Sequence, residues 1–171
     1  LQVKGENKRP YDEDEGINSD PDIFVKRLRF WQGFNQARST HSEYCEIYKK
    51  ERTASTDHFM DLFFGTSAYH PFLSVLFKKK TICVGISIYG TDRNTEIFEH
   101  FKENEAAINA LAGVSLIFEQ AQKPKNPDNP SYSIVAKKEI DINDESTWGD
   151  AYNWMMDMAV KMNEIKEKFG V

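Results

Sequence analysis

DHFMDLFFGTSAYHPFLSVLFKKKTICVGISIY, residues 57–89, contains three apolar runs, HFMDLFF, FLSVLF and ICVGISIY, separated by GTSAYHP and KKKT. Short runs rich in aromatic and β-branched side chains, bounded by glycine, proline and charged breaks, read as strands. Connections this brief make two antiparallel hairpins the simplest topology. In the third run Ile82, Val84, Ile86 and Ile88 alternate with Cys83, Gly85, Ser87 and Tyr89. That period of two directs one face into a core and leaves the other lightly covered.

Outward from this segment the period changes. TDRNTEIFEHFKENEAAINALAG, residues 91–113, carries Ile97, Phe101, Ile108 and Leu111 at helical spacing, with Asn94/Thr95 as the expected cap and Gly113 as the stop. SLIFEQ and SYSIVAKKEI read as two more strands, split by KPKNPDNP, whose three prolines demand an open loop. A last helix follows a Thr147-x-x-Asp150 cap and repeats Trp148, Tyr152, Met155, Met158 or Ala159, Met162, Ile165 and Phe169. On the N-terminal side, Pro21 opens a helix whose expected apolar face is Phe24, Leu28 and Trp31, with Phe30, Phe34 and Ala37 beside it. A second helix is expected over about residues 42–52, holding Tyr44, Ile47 and Tyr48. The reading is α+β: a mainly antiparallel five-stranded sheet, built as three strands, helix, two strands, with N-terminal, middle and C-terminal helices packed on it.

With 171 residues, 40% of them hydrophobic and 29% charged, the chain suits one ordinary domain with no need of a disulfide staple. Residues 1–22 carry seven acids against Lys4, Lys8 and Arg9, a balance of −4 within a total of −5, and lack an apolar period. We read 1–22 as an acidic linker or tail, expect a domain before it, and read 23–171 as a single α+β domain. The near-neutral remainder argues against a histone-like nucleic-acid coat but permits a local basic patch. No apolar run approaches the length of a membrane span. Cys45 and Cys83 lack C-x-x-C spacing, which points to a reducing, cytoplasmic setting.

Reactive constellations are sparse. A restriction-type nuclease needs an acid on one strand and acid-x-lysine on the next to hold a metal and support the attacking water. Asp61 and Glu119 supply acids, but Gln120 and Ala121 follow Glu119, so the lysine is missing. His41 and Cys45 stand four apart, too few ligands for zinc; a half-buried histidine and a small core thiol are the better reading. Pairing of Cys83 with His58 or His70 as a nucleophile and base is outweighed by inert packing. We therefore expect no catalytic residue, metal site or cofactor.

Basic residues gather at Lys26, Arg27, Arg29 and Arg38 on the first helix and at Lys78, Lys79 and Lys80 in the hairpin, with Trp31 and Tyr69 near enough in sequence to stack on a base. The duller account is a solvated helix face and lysines guarding a hairpin end. On the last helix, Met155, Met156, Met158 and Met162 continue the core period, whereas Trp154 and Val160 point off it and are expected at an interface.

RLRFWQGF, TSAYHPFLSVLF with its basic turn and ICVGISIYG, IFEHFKENEAAI, SLIFEQ and STWGDAYNWMMDMAVKMNEIKEKF, in this order, resemble the bacterial and archaeal domain-of-unknown-function family 4268 over about residues 23–169. The resemblance implies a C-terminal module, commonly behind a restriction-endonuclease-like domain, with no catalytic positions to transfer. Many members of that family carry basic residues at the loop that here reads GTSAYHP. The expected function is that of a non-catalytic accessory domain of a nucleic-acid-processing or defence protein, with DNA or RNA and an upstream nuclease-like domain as partners. The alternative is a protein-interaction or homodimerisation module without nucleic-acid contact, and the third reading is an unrecognised hydrolase or nuclease.

Overall fold

A computed structural model describes residues 21–171. The expected acidic tail, residues 1–22, lies almost wholly outside the described residues. Strands β1 (Phe59–Asp61), β2 (Tyr69–Leu76), β3 (Thr81–Ile88), β4 (Ile117–Gln120) and β5 (Tyr132–Glu139) form one sheet in the order β1-β2-β3-β5-β4. Every neighbouring pair is antiparallel. Both expected hairpins are present, and the α+β reading holds. The first strand is shorter than its apolar run: after Asp61, Leu62 N continues the ladder by donating to Pro71 O at 2.8 Å.

Gly85 sits where β3 is crowded from two sides. A Cβ there would stand 2.5 Å from Ile134 O on β5 and 2.9 Å from the ring of Phe72, its partner on β2. Only a residue without a side chain lets the backbones and the aromatic ring approach this closely.

Helix α1 (Pro21–Ala37) begins at the expected proline. Its buried stripe is Ile23, Arg27, Phe30, Trp31 and Phe34, one residue round from the expected register; Phe24 is 40% exposed and Leu28 half-buried. Burying Phe30, Trp31 and Phe34 together removes more apolar area than a face centred on Phe24 and Leu28, and this sets the rotation. A 3-10 turn at Arg38–Thr40 leads into α2 (Ser42–Ile47). This helix is shorter than the expected 42–52, because Tyr48 leaves helical geometry and the Arg38 guanidinium donates to its carbonyl.

The middle helix is two helices, α3 (Asn94–Glu103) and α4 (Glu105–Ala112). At the break Asn104 turns its side-chain amide back to His100 O, 3.0 Å, the local competition that makes asparagine a poor interior residue. The expected Asn94/Thr95 cap is not formed. Arg93 occupies the cap position, while Asn94 Oδ1 accepts from Thr91 N and Thr95 Oγ1 bonds Tyr132 Oη at 2.8 Å. Gly113, at φ 76°, ends α4 as expected.

Helix α5 (Trp148–Phe169) enters through a 3-10 turn at Glu145–Thr147, capped by Asp144 accepting from Ser146 N. Thr147 does not cap α5 with its side chain; its hydroxyl donates to Asp141 O and Asp144 O. The helix side of the sheet holds the main core, where Phe30 meets Trp31, Phe77, Trp148 and Tyr152 with ring centroids 4.9–6.2 Å apart. Two buried hydroxyls are satisfied across it: Tyr152 donates to Phe30 O and Tyr48 to Ala159 O. Among the described residues no helix is long and apolar enough to cross a membrane.

Candidate nucleic-acid interface

The basic residues singled out in the sequence divide into two groups. Arg27 is only 4% exposed, with its guanidinium donating to Thr56 O and lying over the Phe24 ring. Arg38 holds the end of α2 through Tyr48 O and covers the Tyr44 ring at 5.7 Å. Both are structural. Trp31 is fully buried, its indole N–H donating to Asp57 O at 2.8 Å, and Tyr69 is buried with its hydroxyl on Val171 O. Neither ring is available to stack on a base, which corrects that expectation: each lies on the core side of its element, where the polar handle finds a backbone partner.

The second group collects at one end of the sheet. Lys78, Lys79 and Lys80 form the β2–β3 turn; Lys80 takes the left-handed conformation, φ 51°, and its N–H reaches Phe77 O at 3.4 Å. Register brings two further lysines beside them. On β5, Lys138 is opposite Ile82 and Lys137 opposite Cys83, while Ile140 N donates to Lys80 O at 3.0 Å. Lys26 of α1 arrives from the helix layer: its ammonium is 5.9 Å from the Phe77 ring centre and 3.4 Å from Asn143 Oδ1. Asn143 in turn donates to Phe77 O, tying α1, the turn and the β5–α5 connection together.

Six lysines thus share this end with Glu139, opposite Thr81, and Asp141. Lys26, Lys78, Lys80, Lys137 and Lys138 are exposed, and Lys79 is half-buried. Arg29 lies nearby, 2.6 Å from Glu145 Oε1 and over the Trp148 ring. Lys137 and Lys138 were missed in the sequence because AKKEI reads only as a strand end; their position depends on a pairing between segments fifty residues apart.

Other candidate sites fall apart geometrically. Asp61 and Glu119 occupy β1 and β4, the two opposite edges of the sheet, about 19 Å apart at the usual strand spacing. They cannot hold one metal ion. His41 caps α2, its Nδ1 accepting from Tyr44 N and its Nε2 2.6 Å from Asp157 Oδ1, and the Cys45 thiol donates to Arg38 O at 2.9 Å. His70 pairs with Asp61 at 3.0 Å, four positions along β2 from Ser74, the residue opposite Cys83. Among the described residues no group of three or more His, Cys, Asp or Glu is placed to hold a metal ion. A cleft of about 320 Å³ beside β1 is lined by Lys50, Arg52, Glu51, Asp57 and Asp61 together with polar and apolar neighbours, a mixture with no net direction for an ion.

The interface expected on α5 is also corrected. Val160 is 5% exposed and belongs to the main core, and Trp154 is half-buried against it. With Met155, Met156, Met158 and Met162 buried as well, this long helix leaves one polar stripe, Asp150, Asn153, Asp157 and Glu164, to solvent and buries the opposite side.

The model of the family described as a domain of unknown function (DUF4268) matches residues 26–169. The chain belongs to this family. No curated protein and no solved structure gives a significant match. The DUF4268 match spans every strand and all of α2 to α5, so the lysine end and the helix-side core both lie within the family's domain.

Proposed function

We propose that this DUF4268 domain is a non-catalytic accessory element of a longer nucleic-acid-processing or defence protein, and that it positions nucleic acid against the lysine end of its sheet. The observation that supports this reading is the convergence of Lys26, Lys78–Lys80 and Lys137–Lys138 from three separated parts of the chain. Ammonium groups gathered at a sheet end neutralise phosphates and release counterions, which gives affinity without base recognition. Trp31 and Tyr69, inside the core, have no part in this role.

Fluorescence anisotropy with labelled duplex DNA, single-stranded DNA and RNA across a salt series tests the proposal. Binding at low salt should weaken steeply as salt rises, and the quadruple variant Lys78→Glu, Lys79→Glu, Lys137→Glu, Lys138→Glu should lose at least about tenfold and show a shallower salt dependence. Lys123→Glu with Lys125→Glu, in the loop at the other end of β5, serves as the charge control. No binding at low salt, or equal loss in the control, would defeat the reading.

A further inference from the structure

The connection between β5 and α5, residues 140–147, reads IDINDEST and runs alongside α1 at the lysine end. It meets the two exposed cations of that helix in different ways. Lys26 reaches Asn143 Oδ1 at 3.4 Å, an amide that leaves the ammonium charge uncancelled, and the same amide donates to Phe77 O at 3.1 Å. Arg29, one turn further along α1, stands 2.6 Å from the Glu145 carboxylate. Asn143 thus interrupts an acidic run of Asp141, Asp144 and Glu145 at the point where Lys26 arrives. Asp144 serves the run itself, accepting from Ser146 N at 3.0 Å and from Ser146 Oγ at 2.8 Å. The positive surface of the six lysines therefore extends onto α1 at Lys26 and is cancelled at Arg29.

We propose, on the strength of the phosphate-binding role proposed above, that Glu145 regulates the edge of that surface: its carboxylate withholds Arg29 from nucleic acid, while Asn143 keeps Lys26 within reach of it. Arg29 and Glu145 are 52% and 51% exposed, so their attraction is screened by water and an arriving phosphate competes with the carboxylate for the same guanidinium. Arg29 is otherwise placed to bind. Its guanidinium lies over the Trp148 ring, 5.8 Å from the centroid, a second hold that remains when the carboxylate is removed, and its planar fork suits a phosphate. The carboxylate also sets a like charge beside any phosphate that approaches. The domain consequently binds more weakly than its cations alone would allow, which suits an element that positions nucleic acid rather than retaining it.

Anisotropy with labelled duplex DNA across a salt series tests this. Glu145→Gln should tighten binding at low salt at least about threefold and steepen the salt dependence by about one released ion. Adding Arg29→Gln should cancel that gain, an outcome that a purely structural role for Glu145 does not produce. Asn143→Asp, which sets a carboxylate against Lys26, should weaken binding by a similar factor. Glu164→Gln removes the same charge near the far end of α5 and should bring no gain, because charges beyond the screening length act little on one another. Glu145 is exposed, and Glu145→Ala gives the same readout in a second variant. No gain from either variant, a gain that survives Arg29→Gln, or an equal gain from Glu164→Gln would each overturn the inference. If the quadruple lysine variant still loses binding, such a result removes the role of Glu145 and leaves the lysine end in place; absence of binding by the parent chain removes both.

Discussion

The two faces of the sheet are buried to the same degree by different means. On the helix side, Leu73, Val75, Ile82, Val84, Ile86 and Ile134 meet the aromatic cluster of α1 and α5, and every large side chain finds several others. On the outer side, Ser74, Gly85, Ser87 and Ser133 surround a few apolar groups, so there is little volume to interlock. The difference teaches that dryness and stability are separable. The first face specifies the fold through close packing, whereas the second offers few large side chains to interlock.

Truncation should separate the faces most strongly. Phe30→Ala removes a ring in contact with four other aromatic side chains and should cost about 3–5 kcal/mol in urea denaturation, the range for large-to-small changes in a packed core. A loss under about 1 kcal/mol would show that the helix-side core is looser than its contacts indicate.

Gly85→Ala probes the outer face by overfilling it, and a cost of roughly 1–3 kcal/mol is expected. Because the nearest obstacle is Ile134 O, a backbone atom, adding Phe72→Ala should not restore the lost stability. Recovery in that double variant would place the conflict in the Phe72 ring instead.

Alkali should act on the helix side. Burial raises the phenol pKa of Tyr44 and Tyr48 well above the ordinary value, so the folded state retains protons that the unfolded chain loses. Their contribution is fully present below about pH 10 and declines as pH rises beyond it, by about 1.4 kcal/mol per unit for each tyrosine. Urea midpoints between pH 9 and 11 should therefore fall, and Tyr48→Phe should flatten the fall while costing about 1 kcal/mol at neutral pH for the lost bond to Ala159 O. A slope identical to that of the parent chain would contradict the assignment.

The smallest effect belongs to the surface. Arg29 and Glu145 are each about half exposed, and Arg29→Ala should change stability by no more than about 0.5 kcal/mol, less still in high salt. A larger loss would mean that its stacking on Trp148 contributes to the core edge.

Much of the candidate site was legible only in part. KKK between two apolar runs marks a basic turn in any reading, whereas the arginines of α1 look equivalent in sequence and are not. Arg27 faces inward because Phe30 and Trp31 claim the buried side of the helix, and about three turns later Arg38 is drawn to the end of α2. Trp31 and Tyr69 illustrate the same ambiguity, for an aromatic residue beside a lysine or histidine carries no mark of which way it points.

Periodicity and punctuation in the chain alone settled the strands, most helices, the α+β class and membership of a family recognised by the order of soft apolar motifs, because side-chain spacing of two or 3.6 is a local property. Tertiary structure decided the break at Asn104, the placement of β5 beside β3, the burial of Val160 and the gathering of Lys137 and Lys138 with the hairpin lysines. These depend on which distant segments pair and which face wins the core, a competition settled by buried area summed over the whole molecule rather than by any residue's neighbours in sequence.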